Sequence, residues 1–194
     1  RTHLRFASMS TSPLLIRPST AADLAAITAI YGWNVAHGTG TFELDAPDEA
    51  EMARRRDDVL SKGLPWLVAE RDGQVLGYAY ANHFRPRRAY RFCLEDSIYL
   101  ADAARGQGLG RLLLAELVSR CEAAGARQML AVIGDSANAG SIGVHRALGF
   151  EHTGVVRSAG CYMAIQMEAG HQCPITMTNA AVPTLLIQPE IAAE

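Results

Sequence analysis

The stretch Arg105-Gly106-Gln107-Gly108-Leu109-Gly110 sets three glycines between an apolar segment, Ile98-Tyr99-Leu100, and a leucine-rich helical pattern that follows. Glycine lets a backbone approach a ligand closely. The N–H groups at a helix start point outward, and the helix dipole favours negative charge there. Arg105 and Arg111 add positive charge, so a pyrophosphate fits the loop. A ligand-free capping turn is the plainer alternative. A Walker A loop would need a lysine after its last glycine, and none follows Gly110. A Rossmann fingerprint would need glycine where Arg111 stands.

Other chemistry-bearing residues are sparse. Arginines cluster at Arg54-Arg55-Arg56 and at Arg85, Arg87, Arg88 and Arg91. The first cluster reads as a solvated helix face. The second lies between strand-like segments and suits an anion. Cys93, Cys121, Cys161 and Cys173 lack zinc or redox spacing and read as free thiols in a reducing compartment. The six histidines form no His-x-x-x-His pair, so no metal site is expected. A net charge of −2 gives no basic field for nucleic acid. No apolar run is long enough for a membrane, and no signal peptide is evident. A cytoplasmic location is the expectation. Met9 reads as the natural start, which makes the first eight residues an extension, and residues 1–12 are set apart from the domain as an N-terminal extension.

The elements that must position these residues follow from periodicity and breakers. A strand is expected at Leu14–Pro18, a helix from Ala21 to about Trp33, and a second helix from Pro47 to Ser61. Strands follow at Trp66–Ala69 and Val75–Tyr80, turning at Arg71-Asp72-Gly73-Gln74. Tyr90–Leu100 reads as a strand interrupted near Glu95-Asp96. A helix spans Gly110–Ala124, a strand Gln128–Ile133, a helix Ala139–Leu148 and a strand Glu151–Val156. This order predicts a single α/β domain with one central sheet.

The loop also fits Arg/Gln-x-x-Gly-x-Gly/Ala, which resembles the coenzyme A loop of the GNAT acetyltransferases. The likeness extends from about Leu15 to Gly160 and resembles the phosphinothricin acetyltransferase branch. It is carried by Ile30-Tyr31, Gly40-Thr41-Phe42-Glu43, Ala89-Tyr90-Arg91, Glu95 to Leu100, Ala131-Val132-Ile133-Gly134, Asn138 and His145 to Phe150. Gly32 departs from the asparagine common there. The resemblance implies the GNAT fold, a mixed sheet whose fourth and fifth strands splay apart. It implies acetyl-CoA as cosubstrate and no metal. Pantetheine would bond backbone at Ile98, Tyr99 and Leu100. The pyrophosphate would sit on Arg105, Gly106, Gln107, Gly108, Leu109, Gly110 and Arg111. Asn138 would contact coenzyme A, cap its helix, or do both.

For the chemistry, the resemblance makes Glu95 the general base that takes a proton from the attacking amine. Strand alternation puts Asp96 on the opposite face, the weaker candidate. Backbone N–H near Tyr99 or Leu100 would stabilise the oxyanion. His145 would protonate the departing thiolate, or simply pack. The implied substrate is a small amino acid analogue with a second anionic or polar group, held by Arg88, Tyr90 or Arg91. Phe42 would line the pocket, with core packing the alternative.

The C-terminus departs from the family. The usual Trp-containing last strand is absent, and Cys161 onward resembles a fragment of an adaptive-response acyl-CoA dehydrogenase. The fragment is too short to bind flavin. The division is therefore an acetyltransferase domain over 13–160 and an atypical tail over 161–194. The missing segment would contribute to the homodimer and the pocket wall of the branch. This leaves a coenzyme A-binding protein with impaired catalysis as the alternative.

Overall fold

The structure, a computed structural model, describes residues 12–151. The most buried side chains come from runs whose neighbours cover both faces of a sheet. Trp66, Leu67 and Val68 in β2 (Trp66–Arg71) and Tyr78 in β3 (Gln74–His83) are almost fully enclosed. With β1 (Leu15–Pro18), β4 (Cys93–Leu100) and β5 (Gln128–Ala131) they form a sheet of order β1-β2-β3-β4-β5. The first three pairings are antiparallel and β4–β5 is parallel. The GNAT fold expected from the loop is the fold observed.

Helices cover both faces. Tyr31 of α1 (Leu24–His37) packs edge-on against Tyr99, with ring centroids 4.9 Å apart. α2 (Glu49–Ser61) starts at Asp48, whose Oδ1 accepts from the Glu51 N–H at 2.7 Å, an N-cap. On the other face, α3 (Leu109–Ala123) buries Leu113, Leu114 and Leu117. This leucine stripe at helical spacing is the strongest helix signal in the sequence. α4 (Ala139–Arg146) follows β5 and lies against the first turn of α3.

The splay appears in the register. β4 pairs with β3 along Leu94–Leu100, but with β5 only over Cys93–Asp96. Beyond Asp96 the two parallel strands part. The expected interruption at Glu95-Asp96 is thus not a break in β4 but the point where β5 leaves it. Tyr90 is not in the strand either, because Arg88–Tyr90 forms a 3-10 turn. β5 ends at Ala131, two residues short of expectation. α1 runs on to His37, past Trp33.

The expectation of a solvated Arg54-Arg55-Arg56 face also needs correction. Arg55 donates to Glu43 at 2.7 Å and to Glu51 at 2.8 Å, and Arg56 Nε donates to Ser19 Oγ at 2.8 Å. These bonds tie α2 to the loop after α1 and to the start of the domain. Of the C-terminal expectations, the tail and all but Glu151 of the strand at Glu151–Val156 lie outside the described residues. So do residues 1–11 of the expected extension.

Candidate active site

Gly106 and Gly108 have φ of +73° and +77°, a backbone region open to glycine at little cost. No atom lies within 4 Å of where a side chain would start at either, so the loop surface is open. Leu112 N–H bonds the Gly108 carbonyl, at 3.4 Å. The N–H groups of Leu109, Gly110 and Arg111, one turn earlier, belong to the unpaired start of the helix. Gly110 is close-packed instead. A methyl group there would lie 3.4 Å from Val144 Cγ2 and 3.5 Å from Leu100 Cδ1. The structure therefore brings the loop, the end of β4 and α4 together.

Within that group the side chains divide. Leu109 is buried and can offer only backbone. Gln107 donates to the Ala103 carbonyl at 2.8 Å and accepts from Arg71 at the end of β2 at 3.4 Å, so its side chain ties the loop to the β2–β3 turn. Arg105 Nη2 donates to Asn34 Oδ1 at 2.7 Å, and its guanidinium carbon lies 4.6 Å from the Trp33 ring centroid. It braces the loop on α1. Arg111 is exposed and has no ion pair among the described residues. Asn138 Oδ1 caps α4 by accepting from Ser141 N–H at 3.0 Å, leaving its amide nitrogen able to donate.

The wedge sorts its backbone by alternation. Ala101 N–H donates to the Leu76 carbonyl on β3, and the Cys93 carbonyl accepts from the N–H of Phe84, the residue that follows β3. Odd-numbered residues between them, Tyr99 included, turn their amides to β3. Ile98 and Leu100 turn theirs to the side β5 has left. The Tyr99 backbone thus faces β3 and not the wedge. The Leu100 carbonyl is taken by Asn34 Nδ2 at 3.3 Å.

Glu95 lies in the last stretch shared by β4 and β5, opposite Asn82 of β3. It lines a cleft of about 230 Å³ with Tyr80, Asn82, His83 and Ser97. Its carboxylate has no hydrogen-bond partner among the described residues. Burial pushes its pKa up, the Asp96 charge adds to this, and Arg85 opposes it. A larger hollow of about 480 Å³ between β1 and α3 is lined by Leu14, Ile16, Leu112, Ala115 and Glu116. It is shallow and mostly apolar, and holds none of the groups assembled around Glu95.

Asp96 faces the opposite side of the sheet, as alternation predicts, and is buried. Its Oδ2 lies 2.9 Å from His145 Nε2, while His145 Nδ1 lies 2.7 Å from the Ser141 carbonyl. Burial alone would lower the His145 pKa, but the Asp96 bond and charge and the Ser141 carbonyl raise it overall. Both ring nitrogens are engaged, which leaves none free for a departing thiolate.

The arginine placement differs from expectation. Arg91 stacks on Phe92, 4.2 Å from its centroid, and donates to the Arg88 carbonyl. Arg88 and Arg91 are exposed. Tyr90 packs on Phe84, with centroids 6.0 Å apart. Arg85 is the arginine whose charge reaches Glu95. Phe42 is 75% exposed, so core packing does not account for it. Its ring edge lies beside Gly134, and Thr39 Oγ1 donates to Asp135 Oδ2 at 2.8 Å. The loop after α1 thereby reaches the segment after β5. Asn34 was not singled out from sequence, and Arg85 was named only within the cluster suited to an anion, not among the substrate residues. For Asn34 a signal existed: Ile27, Ile30, Tyr31 and Asn34 share one helical face, and all are buried.

The family model described as Acetyltransferase (GNAT) family matches residues 29–150. This chain belongs to the GNAT acetyltransferase family. The phosphinothricin N-acetyltransferase of Alcaligenes faecalis is 57% identical over 138 residues, covering 71% of this GNAT chain and 70% of that one. An L-methionine sulfoximine/L-methionine sulfone acetyltransferase of Pseudomonas aeruginosa is 41% identical, covering 75% and 84%. A solved phosphinothricin acetyltransferase from Sinorhizobium meliloti, in complex with acetyl-CoA, superposes with a TM-score of 0.71 at 52% identity. That match covers 75% of this acetyltransferase and 77% of the solved chain. A second family model, the adaptive response protein AidB N-terminal domain, matches residues 137–194. It agrees with the resemblance read in the tail. No group of three or more metal-ligating side chains gathers among the described residues, and no described helix is long and apolar enough to cross a membrane.

Proposed function

We propose that this acetyltransferase moves the acetyl group of acetyl-CoA to the amino group of a small amino acid analogue. Phosphinothricin and methionine sulfoximine or sulfone represent the class. The observation that carries the reading is Glu95: half-buried, raised in pKa, without a hydrogen-bond partner among the described residues, and set where β4 and β5 part. The names of the relatives support the substrate class.

The amine reacts only as the free base, because an ammonium has no lone pair. Glu95 takes its proton, directly or through water, and the raised pKa makes the carboxylate a better acceptor. Acetyl-CoA, when bound, supplies the acetyl group as an activated thioester. The loop fits its pyrophosphate through positive-φ glycines and the open N–H groups of the first α3 turn. Leu100 N–H, turned into the wedge, is the donor for the oxyanion. Arg85 draws the second, anionic group of the substrate toward the Glu95 cleft. Thiolate is a fair leaving group without a donor, so His145 is not required to protonate it. A cytoplasmic enzyme fits this reading.

The match of residues 137–194 to a different family favours a second reading, a coenzyme A-binding protein that has lost turnover. Thiol release from acetyl-CoA with phosphinothricin, methionine sulfone and spermidine separates the two. Release with the first two and not with spermidine supports the main reading. Coenzyme A binding with no release from any amine supports the second.

A further inference from the structure

We infer that Asp96 is a positioning residue, which holds a protonated His145 so that α4 is locked to the branch point of the β4/β5 wedge and acetyl-CoA binding depends on that lock. This rests on the proposed use of acetyl-CoA.

The pair is enclosed, with Asp96 Oδ1 left unpartnered among the described residues and Oδ2 turned to His145. Asp96 and His145 are only 6% and 5% exposed. Two imidazole nitrogens face two acceptors, the Ser141 carbonyl and Asp96 Oδ2. A neutral imidazole carries one N–H and can satisfy only one of them. The pair is therefore complete only when it holds a second proton. Asp96 is the last β4 residue paired with β5, opposite Ala131. His145 follows Val144, the α4 residue packed on Gly110 in the first turn of α3. Phe150 covers the imidazole edge-on at 5.1 Å, and its N–H bonds the His145 carbonyl. One proton thus ties the branch of the wedge to the helix that flanks the pyrophosphate loop.

The neighbouring titratable groups do not replace that proton. On β4, Glu95 faces the other side of the sheet. On α3, burial and Asp96 push the Cys121 thiol up to about 12, so it stays neutral. On β3, His83 lies one position beyond Asn82, with its Nδ1 buried and unpartnered among the described residues. On α4, Arg146 is exposed. β5 carries no titratable side chain. The folded His145 pKa is raised, so the lock is complete at lower pH and is lost as pH climbs through that raised value.

The test is calorimetric titration of the full chain with acetyl-CoA from about pH 5.5 to about pH 10, a span that crosses the ordinary histidine pKa of ~6.5 and the range above it. Nitrogen NMR of the His145 ring accompanies it. The wild type is expected to show a doubly protonated ring at the lower pH, and affinity falling about tenfold as that signal is lost, within the usual range of linked binding. In Asp96→Asn the amide can donate to an unprotonated Nε2, so the bond survives without the charge. There the ring is singly protonated and affinity is flat across the range. A singly protonated ring in the wild type at the lower pH overturns the inference, as does a flat wild-type affinity or an unchanged fall in Asp96→Asn. The wild-type titration decides even if the variant does not fold. Acetyl-CoA that fails to bind at any pH contradicts the proposed function as well, whereas binding with flat pH dependence contradicts this inference alone.

Discussion

Asn34 and Arg105 join α1 to the glycine loop. Arg105 Nη2 donates to Asn34 Oδ1 at 2.7 Å, and the same Asn34 amide donates to the Ile30 and Leu100 carbonyls. One buried side chain thus fixes both the loop and the end of the wedge. Replacing it with alanine leaves buried partners unpaired, at about 1–3 kcal/mol. Asn34→Ala is expected to lower Tm and to raise KM for acetyl-CoA more than KM for the amine. Thermal unfolding and two-substrate kinetics check this.

Gly108→Ala probes the loop backbone. With φ at +77° and no atom within 4 Å of the added methyl, any cost is conformational rather than steric. A left-handed residue other than glycine costs roughly 1–2 kcal/mol. The expected result is a higher KM for acetyl-CoA with kcat nearly unchanged. Equal KM values for variant and wild type would show that the loop does not need this conformation to bind.

Arg85→Ala separates anion recognition from catalysis. Loss of a charge-assisted bond predicts KM for phosphinothricin rising about 10–100-fold. Methionine sulfone, with no second full charge, should suffer less. Because Arg85 opposes the upward shift of Glu95, removing it should also move the acid limb of the pH–rate profile to higher pH. Arg91→Ala should change KM far less, because Arg85 and not Arg91 is the arginine whose charge acts on Glu95.

Acid stability tests a distant pair. Arg17 bonds both carboxylate oxygens of Asp23 at 2.8 Å and holds its pKa down at about 2 against an ordinary 3.8. A depressed carboxylate gives stability that is present above the unfolded value and is lost as pH falls through the folded one. That shift corresponds to about 2 kcal/mol. Asp23→Asn should lower Tm at neutral pH and flatten the acid-denaturation curve between about pH 4 and about pH 2.

Much of this was legible before any coordinates. The leucines of α3, the breakers around β2 and β3, and the glycine loop each carry a local signal, and each lies where expected. Alternation along β4 correctly set Glu95 and Asp96 on opposite faces. Two adjacent carboxylates nevertheless read as a break, because nothing local shows that Asp96 has a histidine partner 49 positions later. For the same reason His145 reads equally as a proton donor or a packed side chain until Ser141 and Asp96 are seen on its two nitrogens. Arg54-Arg55-Arg56 reads as solvated because Glu43 and Ser19 come from other elements. The choice among the arginines depends on the path of the β3–β4 hairpin, which spacing does not encode.

The central claim is that Glu95 takes the proton from the amine. Its raised pKa predicts that wild-type turnover climbs with pH along a limb lying above the ordinary carboxylate value of 4.5, as Glu95 deprotonates. Glu95→Gln keeps the size and removes the base. The deciding measurement is kcat for thiol release by Glu95→Gln with phosphinothricin at neutral pH, with acetyl-CoA affinity measured on the same sample. The account predicts a fall of about 10²–10⁴-fold with affinity unchanged, and full turnover in that variant would contradict it.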